Sequence, residues 1–168
     1  MKNVVLRRAA IAILAVVTMS VSVVAQQKGD KAVGGNLVIG MGDSYTNVGI
    51  GAKFFYNVTD PIRLAGEFDY FLKKDNVSWW DFSAYGHYLF PVADQVVIYP
   101  SLGLGFVGYK ISSGFGGGSY SDNRFAVSLG GGADYELTPT LTLNGELRIK
   151  LIENSNRFNL AVGIIYKF

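Results

Sequence analysis

The sequence predicts an all-β chain, an eight-stranded antiparallel up-and-down transmembrane β-barrel. Three observations predict it. Apolar and polar residues alternate along eight successive segments, and the final one, 157–168, sets the pattern. Its Phe158, Leu160, Val162, Ile164, Tyr166 and Phe168 share one side of a strand, with Arg157, Asn159, Ala161, Gly163, Ile165 and Lys167 on the other. The 168 residues include 21 Gly and 14% aromatics, and after residue 25 no apolar run is long enough for a membrane helix. The connections alternate between tight turns and longer loops, as in a barrel threaded through a bilayer.

The first 25 residues are read as a cleaved secretory signal peptide. Lys2, Arg7 and Arg8 precede an apolar stretch, 9–19, and Val23-Val24-Ala25 ends it with a cleavage-like site before Gln26-Gln27. The apolar stretch is short for a spanning helix, which argues against an uncleaved anchor. Residues 26–33 are expected to form a short N-terminal segment on the periplasmic side, and 34–168 the barrel. Removing the signal leaves twelve Lys and Arg against thirteen Asp and Glu, a net charge near −1, so no nucleic-acid partner is implied. With no cysteine there are no disulfides, although export would permit them. A closed hydrogen-bond ladder is the expected source of stability.

The strands follow in order. The first sets Leu37, Ile39 and Met41 against Asn36, Gly40 and Gly42. The second sets Val48, Ile50, Ala52, Phe54 and Tyr56 against Gly49, Gly51, Lys53 and Asn57, and the third sets Ile62, Leu64, Phe68, Tyr70 and Leu72 against Arg63, Ala65, Glu67 and Asp69. Trp80, Phe82, Ala84, Tyr88 and Phe90 oppose Asp81, Ser83, Tyr85 and His87 in the fourth. The fifth opposes Ile98, Pro100, Leu102, Leu104 and Phe106 to Tyr99, Ser101, Gly103 and Gly105; Pro100 cannot donate to a ladder and is expected near a strand start or a bulge. The sixth runs from Phe125 to Leu137 with Ser128, Gly130, Gly132, Asp134 and Glu136 on its polar side, and the seventh opposes Leu141, Leu143, Leu147, Ile149 and Leu151 to Thr142, Asn144, Glu146, Arg148 and Lys150. Turns are expected at 57–61, 91–95 and 138–140, and loops at 43–46, 74–78, 111–123 and 153–156.

The apolar faces are too bulky for the interior of an eight-stranded barrel, whereas the opposite faces are small or polar. The apolar side therefore faces lipid, unlike that of a soluble lipocalin-like binder. Aromatics gather at both strand ends: Tyr56, Tyr88, Phe90, Tyr135, Tyr166 and Phe168 on the turn side, Tyr70, Trp79, Trp80, Phe106, Tyr109 and Phe158 on the loop side. The inner charges are Lys53, Arg63, Glu67, Asp69, Asp81, Asp134, Glu136, Glu146, Arg148, Lys150, Arg157 and Lys167. Buried charges must be paired. An ion-pair network through Lys53, Arg63, Glu67, Glu146 and Arg148 is expected to close the lumen.

Other motifs carry less. Gly103-x-Gly105-x-x-Gly108 meets the dinucleotide pattern but lies within a strand with no helix after it. The Gly-rich 114–121 lacks the Gly-Lys-Ser/Thr ending of a phosphate loop and reads as a surface loop, with Phe115 and Tyr120 as modest recognition residues. Asp81, Ser83 and His87 share a face, yet four residues of extended chain put Ser83 roughly 13 Å from His87, too far for a nucleophile–base bond. One histidine and no cysteine leave no zinc set. No catalytic residue, cofactor or metal is expected.

From these residues the chain resembles the small eight-stranded outer-membrane barrels of the OmpA/OmpX type. The ending Gly163-x-x-Tyr166-x-Phe168 resembles the β-signal that the outer-membrane assembly machinery reads, with Ala161 where that pattern usually has a polar residue. The stretch 99–105 is similar to a strand common in this superfamily. The resemblance implies a location in the bacterial outer membrane. It also implies contact with outer-membrane lipids and lipopolysaccharide, and biogenesis with the assembly machinery and periplasmic chaperones. A monomer is expected, without the peptidoglycan-binding domain that follows some of these barrels. The expected role is structural or membrane-anchoring, or one of surface interaction. A narrow pore for small solutes is the alternative, and a lipid A-modifying enzyme the third.

Overall fold

The computed structural model describes residues 27–42, 45–74, 77–111, 120–153 and 155–168. The signal-peptide assignment, Phe115 and the Gly-rich 114–119 lie outside them. The described chain forms β1 (Lys31–Gly42), β2 (Tyr45–Asn57), β3 (Ile62–Lys74), β4 (Val77–Tyr88), β5 (Phe90–Ala93), β6 (Val96–Ile111), β7 (Tyr120–Thr138), β8 (Leu141–Ile152) and β9 (Ser155–Lys167). All neighbours are antiparallel in the order β4-β3-β2-β1-β9-β8-β7-β6, and β6 pairs back onto β4, so the sheet closes.

Eight staves make the wall, because β4 and β5 are two halves of one. Both pair with β6 in a single continuous register, His87 against Ser101 and Phe90 against Ile98. The interruption falls at Leu89, next to the ladder site that Pro100 cannot supply. On its other flank Leu89 donates its N–H to the carbonyl of Pro61, just before β3, at 2.7 Å. Pro100 thus lies inside β6, at this break.

Several boundaries differ from the sequence expectation. β1 begins at Lys31, because 31–33 pair with 54–56 of β2. On the loop side Gly42 pairs with Tyr45, Lys74 with Val77 and Ile152 with Ser155, so three expected loops reduce to two intervening residues each. Polar residues there mark where the wall leaves lipid, and the ladder continues past that point. β6 and β7 are the longest strands, at 16 and 19 residues, and exceed the roughly 9–11 residues a tilted strand needs to cross a bilayer. Residues 120–125 of β7 rise beyond the last pair with β8, Ala126 with Ile152.

Alternation holds all round the barrel. Leu37, Ile50, Leu102, Leu147 and Val162 each expose half or more of their surface on the outer face. Aromatics pack along that wall: Phe68 with Trp80 at 6.3 Å, Tyr88 with Phe90 at 4.8 Å and Phe106 with Phe125 at 5.8 Å between ring centres. Trp79 and Tyr109, expected in the loop-side girdle, instead point inward. Gly108 faces outward, where a Cβ would run into the Trp80 ring lying across it. Leu147 sits in mid-β8. Leu147→Arg should cost about 2–4 kcal/mol of stability in vesicles, as a cation at the bilayer midplane does. Urea unfolding measures it, and a loss well below that range would take Leu147 out of the hydrocarbon.

Candidate functional site in the barrel lumen

The inner face brings its charges together in two groups with apolar side chains at each end. Near the turn end Ala32, Phe55, Ala65, Tyr85 and Ile165 form one apolar cluster. Arg63 lies among them, its guanidinium 4.8 Å from the Phe55 ring centre and 4.6 Å from that of Tyr99. It pairs with Asp134 at 2.6 Å and donates from Nε to His87 Nδ1 at 3.1 Å. The His87 ring stacks on Tyr99 at 4.5 Å.

The middle group centres on Arg148 and Glu146 of β8. Arg148 pairs with Glu67 of β3 and with Glu146 at 2.9 Å, and its guanidinium covers the Tyr85 ring at 4.5 Å. Lys53 reaches Glu146 at 2.9 Å and Glu67 at 3.8 Å, and donates to Asn144 Oδ1 at 3.2 Å. Tyr99 donates its hydroxyl to Glu146 at 2.7 Å and accepts from Asn144, whose amide also bonds Asp134. Lys53, Glu67, Glu146 and Arg148 therefore form one connected set, which Tyr99 and Asn144 link to Arg63 through Asp134.

Nearer the loop end Asp81 pairs with Lys150 at 2.9 Å and with Arg157. Lys150 also donates to Ser83 at 3.2 Å, and Arg157 lies over the Phe71 ring at 4.6 Å. Asp69, directly opposite Asp81, accepts from the Asn36 amide at 3.3 Å. Two apolar clusters finish this end, Val38, Phe71, Trp79 and Ala161 in one and Val107, Ala126 and Ile152 in the other, with Tyr109 packed against both. Lys167 and Glu136, paired at 3.4 Å, keep partial exposure at the turn-side rim.

The arrangement pairs the inner acids with the inner cations across the barrel. Asp81 and Ser83 both accept from Lys150, and His87 accepts from Arg63, not from a serine. Among the described residues no three His, Cys, Asp or Glu side chains converge on a metal position.

Sequence reasoning missed Val38, Phe55, Phe71, Val107, Ala126 and Ile152 as lumen residues, all of them buried. Strand parity carried that signal, since each shares a face with residues read as inner. It also missed what the inner glycines permit. A Cβ at Gly103 would meet the Tyr85 ring, so the missing side chain is the room in which Tyr85 lies. At the closing seam Gly163 lies opposite Asn36 of β1 and Asn144 of β8, while Tyr166 and Phe168 point outward.

Over residues 11–168 the chain matches the family described as outer membrane protein beta-barrel domain. No curated protein matches it. Among solved structures it is similar to Ail, the attachment invasion locus protein of Yersinia pestis, with TM-score 0.63 and 18% identity over 84% of this chain and 100% of that one. It is likewise similar to Neisserial surface protein A, with TM-score 0.65 and 15% identity over 83% and 96% of the two chains. OprG of Pseudomonas aeruginosa gives TM-score 0.58 and 13% identity over 88% and 99%. At these identities the likeness is one of fold.

Proposed function

Because the chain belongs to the outer membrane protein beta-barrel domain family and is a β-barrel of the bacterial outer membrane, we propose that it acts as a closed, monomeric anchor. In this reading it holds its outer hairpins at the cell surface and conducts nothing. The observation that carries the reading is that ion-pair groups lie in the lumen between apolar clusters at both ends. A continuous water path would have to part all of them. The prolonged β6–β7 hairpin supports a surface-interaction role for the loop end, with Arg124, bonded to Asp122 at 3.0 Å and to the Glu153 carbonyl, bracing its base. Its lasting partners would be outer-membrane lipids and lipopolysaccharide, and its transient ones the assembly machinery and periplasmic chaperones.

Planar-bilayer recording tests the closed lumen. The native protein should give a flat trace. Phe71→Ala combined with Trp79→Ala should stay flat too, because the Asp81 and Glu67 ion-pair groups remain in series behind that cluster. Steady single-channel steps from the native barrel would replace the anchor with the pore.

A further inference from the structure

On the lipid-facing wall where β1 meets β9, Gly35 floors a shallow apolar groove of about 760 Å³, walled by Val33, Leu37, Leu143, Val162 and Ile164. That volume falls within the roughly 300–1,000 Å³ of small-molecule clefts. The fold does not demand glycine at 35. A Cβ there would meet nothing nearer than the Gly51 carbonyl at 3.8 Å, whereas one at Gly163 would strike the Gly35 carbonyl and the Asn36 backbone. The groove is therefore not a by-product of tight strand approach.

Four residues toward the turn end of the same outer face, roughly 13 Å away, stands Lys31. It is exposed and, among the described residues, in no ion pair. Lys31 lies opposite Tyr56, and Val33 opposite Tyr166, outward tyrosines that belong at the level of lipid headgroups. An unpaired ammonium at headgroup height above an apolar groove matches a molecule with an anionic head and a hydrocarbon chain. We propose that the β1–β9 seam is a site for one glycerophospholipid of the leaflet on the chain-end side. Its acyl chain fills the groove over Gly35 and its phosphate meets Lys31.

The test uses the whole barrel in nanodiscs of phosphatidylethanolamine and phosphatidylglycerol, with a trace of phosphatidylglycerol carrying a diazirine in one chain. After illumination, mass spectrometry maps the adducts. They should concentrate on β1 and β9 around Gly35. Gly35→Leu, which fills the groove, should remove that concentration. Lys31→Gln should lower it about fivefold, the effect of one basic residue near a headgroup. Heat-shifted gel mobility shows that both variants are folded, and Lys31→Gln, at the rim, tests the site even where Gly35→Leu folds poorly. Adducts spread evenly around the wall, or indifferent to both substitutions, overturn the proposal. So does a Gly35→Cys barrel that forms disulfide dimers in the bilayer, which would make a second barrel the occupant. The site rests on the lipid-facing wall and not on the closed lumen, so a conducting barrel would leave it standing.

Discussion

Arg148→Met should lower the stability of the folded barrel by about 3–5 kcal/mol, the loss expected when one partner of a buried ion pair is removed. Arg148 is 1% exposed and joins Glu67 on β3 to Glu146 on its own strand. Without it Glu67 keeps, among the described residues, Lys53 at 3.8 Å and the Asn36 amide at 3.3 Å, and Lys53 must serve both carboxylates. The lost Coulomb partner matters less than the two buried acids left behind. Adding Glu67→Gln should therefore restore part of the loss, since replacing both partners of a buried pair is often near neutral. The coupling from the double-mutant cycle should fall in the upper part of the usual 0.5–3 kcal/mol range. Urea unfolding in vesicles, followed through Trp79 and Trp80, measures all three. High salt should leave the loss unchanged, because the pair is not screened as surface charges are. A loss under about 1 kcal/mol would mean that water solvates the stranded carboxylates, which would also undermine the closed lumen.

Much of this lumen is legible in the chain, and the limits have physical causes. Parity assigns Lys53, Glu67, Glu146 and Arg148 to one interior, because a one-residue slip would turn every side chain to the other face. Which cation meets which acid depends on shear between strands distant in sequence. Thus Arg63 finds Asp134 of β7, which no pattern within β3 announces. The apolar end clusters stayed hidden because Phe55 and Phe71 flank outward Phe54 and Leu72, so hydrophobicity alone does not tell wall from core. Parity places them without showing that they gather over Arg63 and Arg157. Strand ends were misplaced for a different reason: polarity reports where lipid ends, whereas pairing reports where the ladder ends. The break at Leu89 lies beside Pro100 and was legible only as an irregularity of the fifth strand.

Phe168→Asp should reduce insertion by the assembly machinery about tenfold, what the loss of about 1.4 kcal/mol of recognition gives. It should cost a barrel already folded no more than about 1 kcal/mol, as a charge at the rim of a lipid-facing wall does. The structure gives Phe168 little to hold. It lies one residue beyond β9, is 69% exposed, and contributes an N–H to the Lys31 carbonyl at 3.2 Å that aspartate would keep. Gly163 behaves in the opposite way. Any side chain there collides with the backbone of β1, so Gly163→Ala should lower both insertion and stability by preventing the seam from closing. The ending that resembles an assembly signal thus divides by cause. Gly163 is explained by strand approach alone, whereas the packing of Phe168 does not account for an aromatic residue at that position. In vitro insertion by purified assembly machinery, compared with urea unfolding of barrels refolded from detergent, separates the two. Matching small losses for Phe168→Asp in both assays would reduce the residue to ordinary wall material and leave the recognition reading without support.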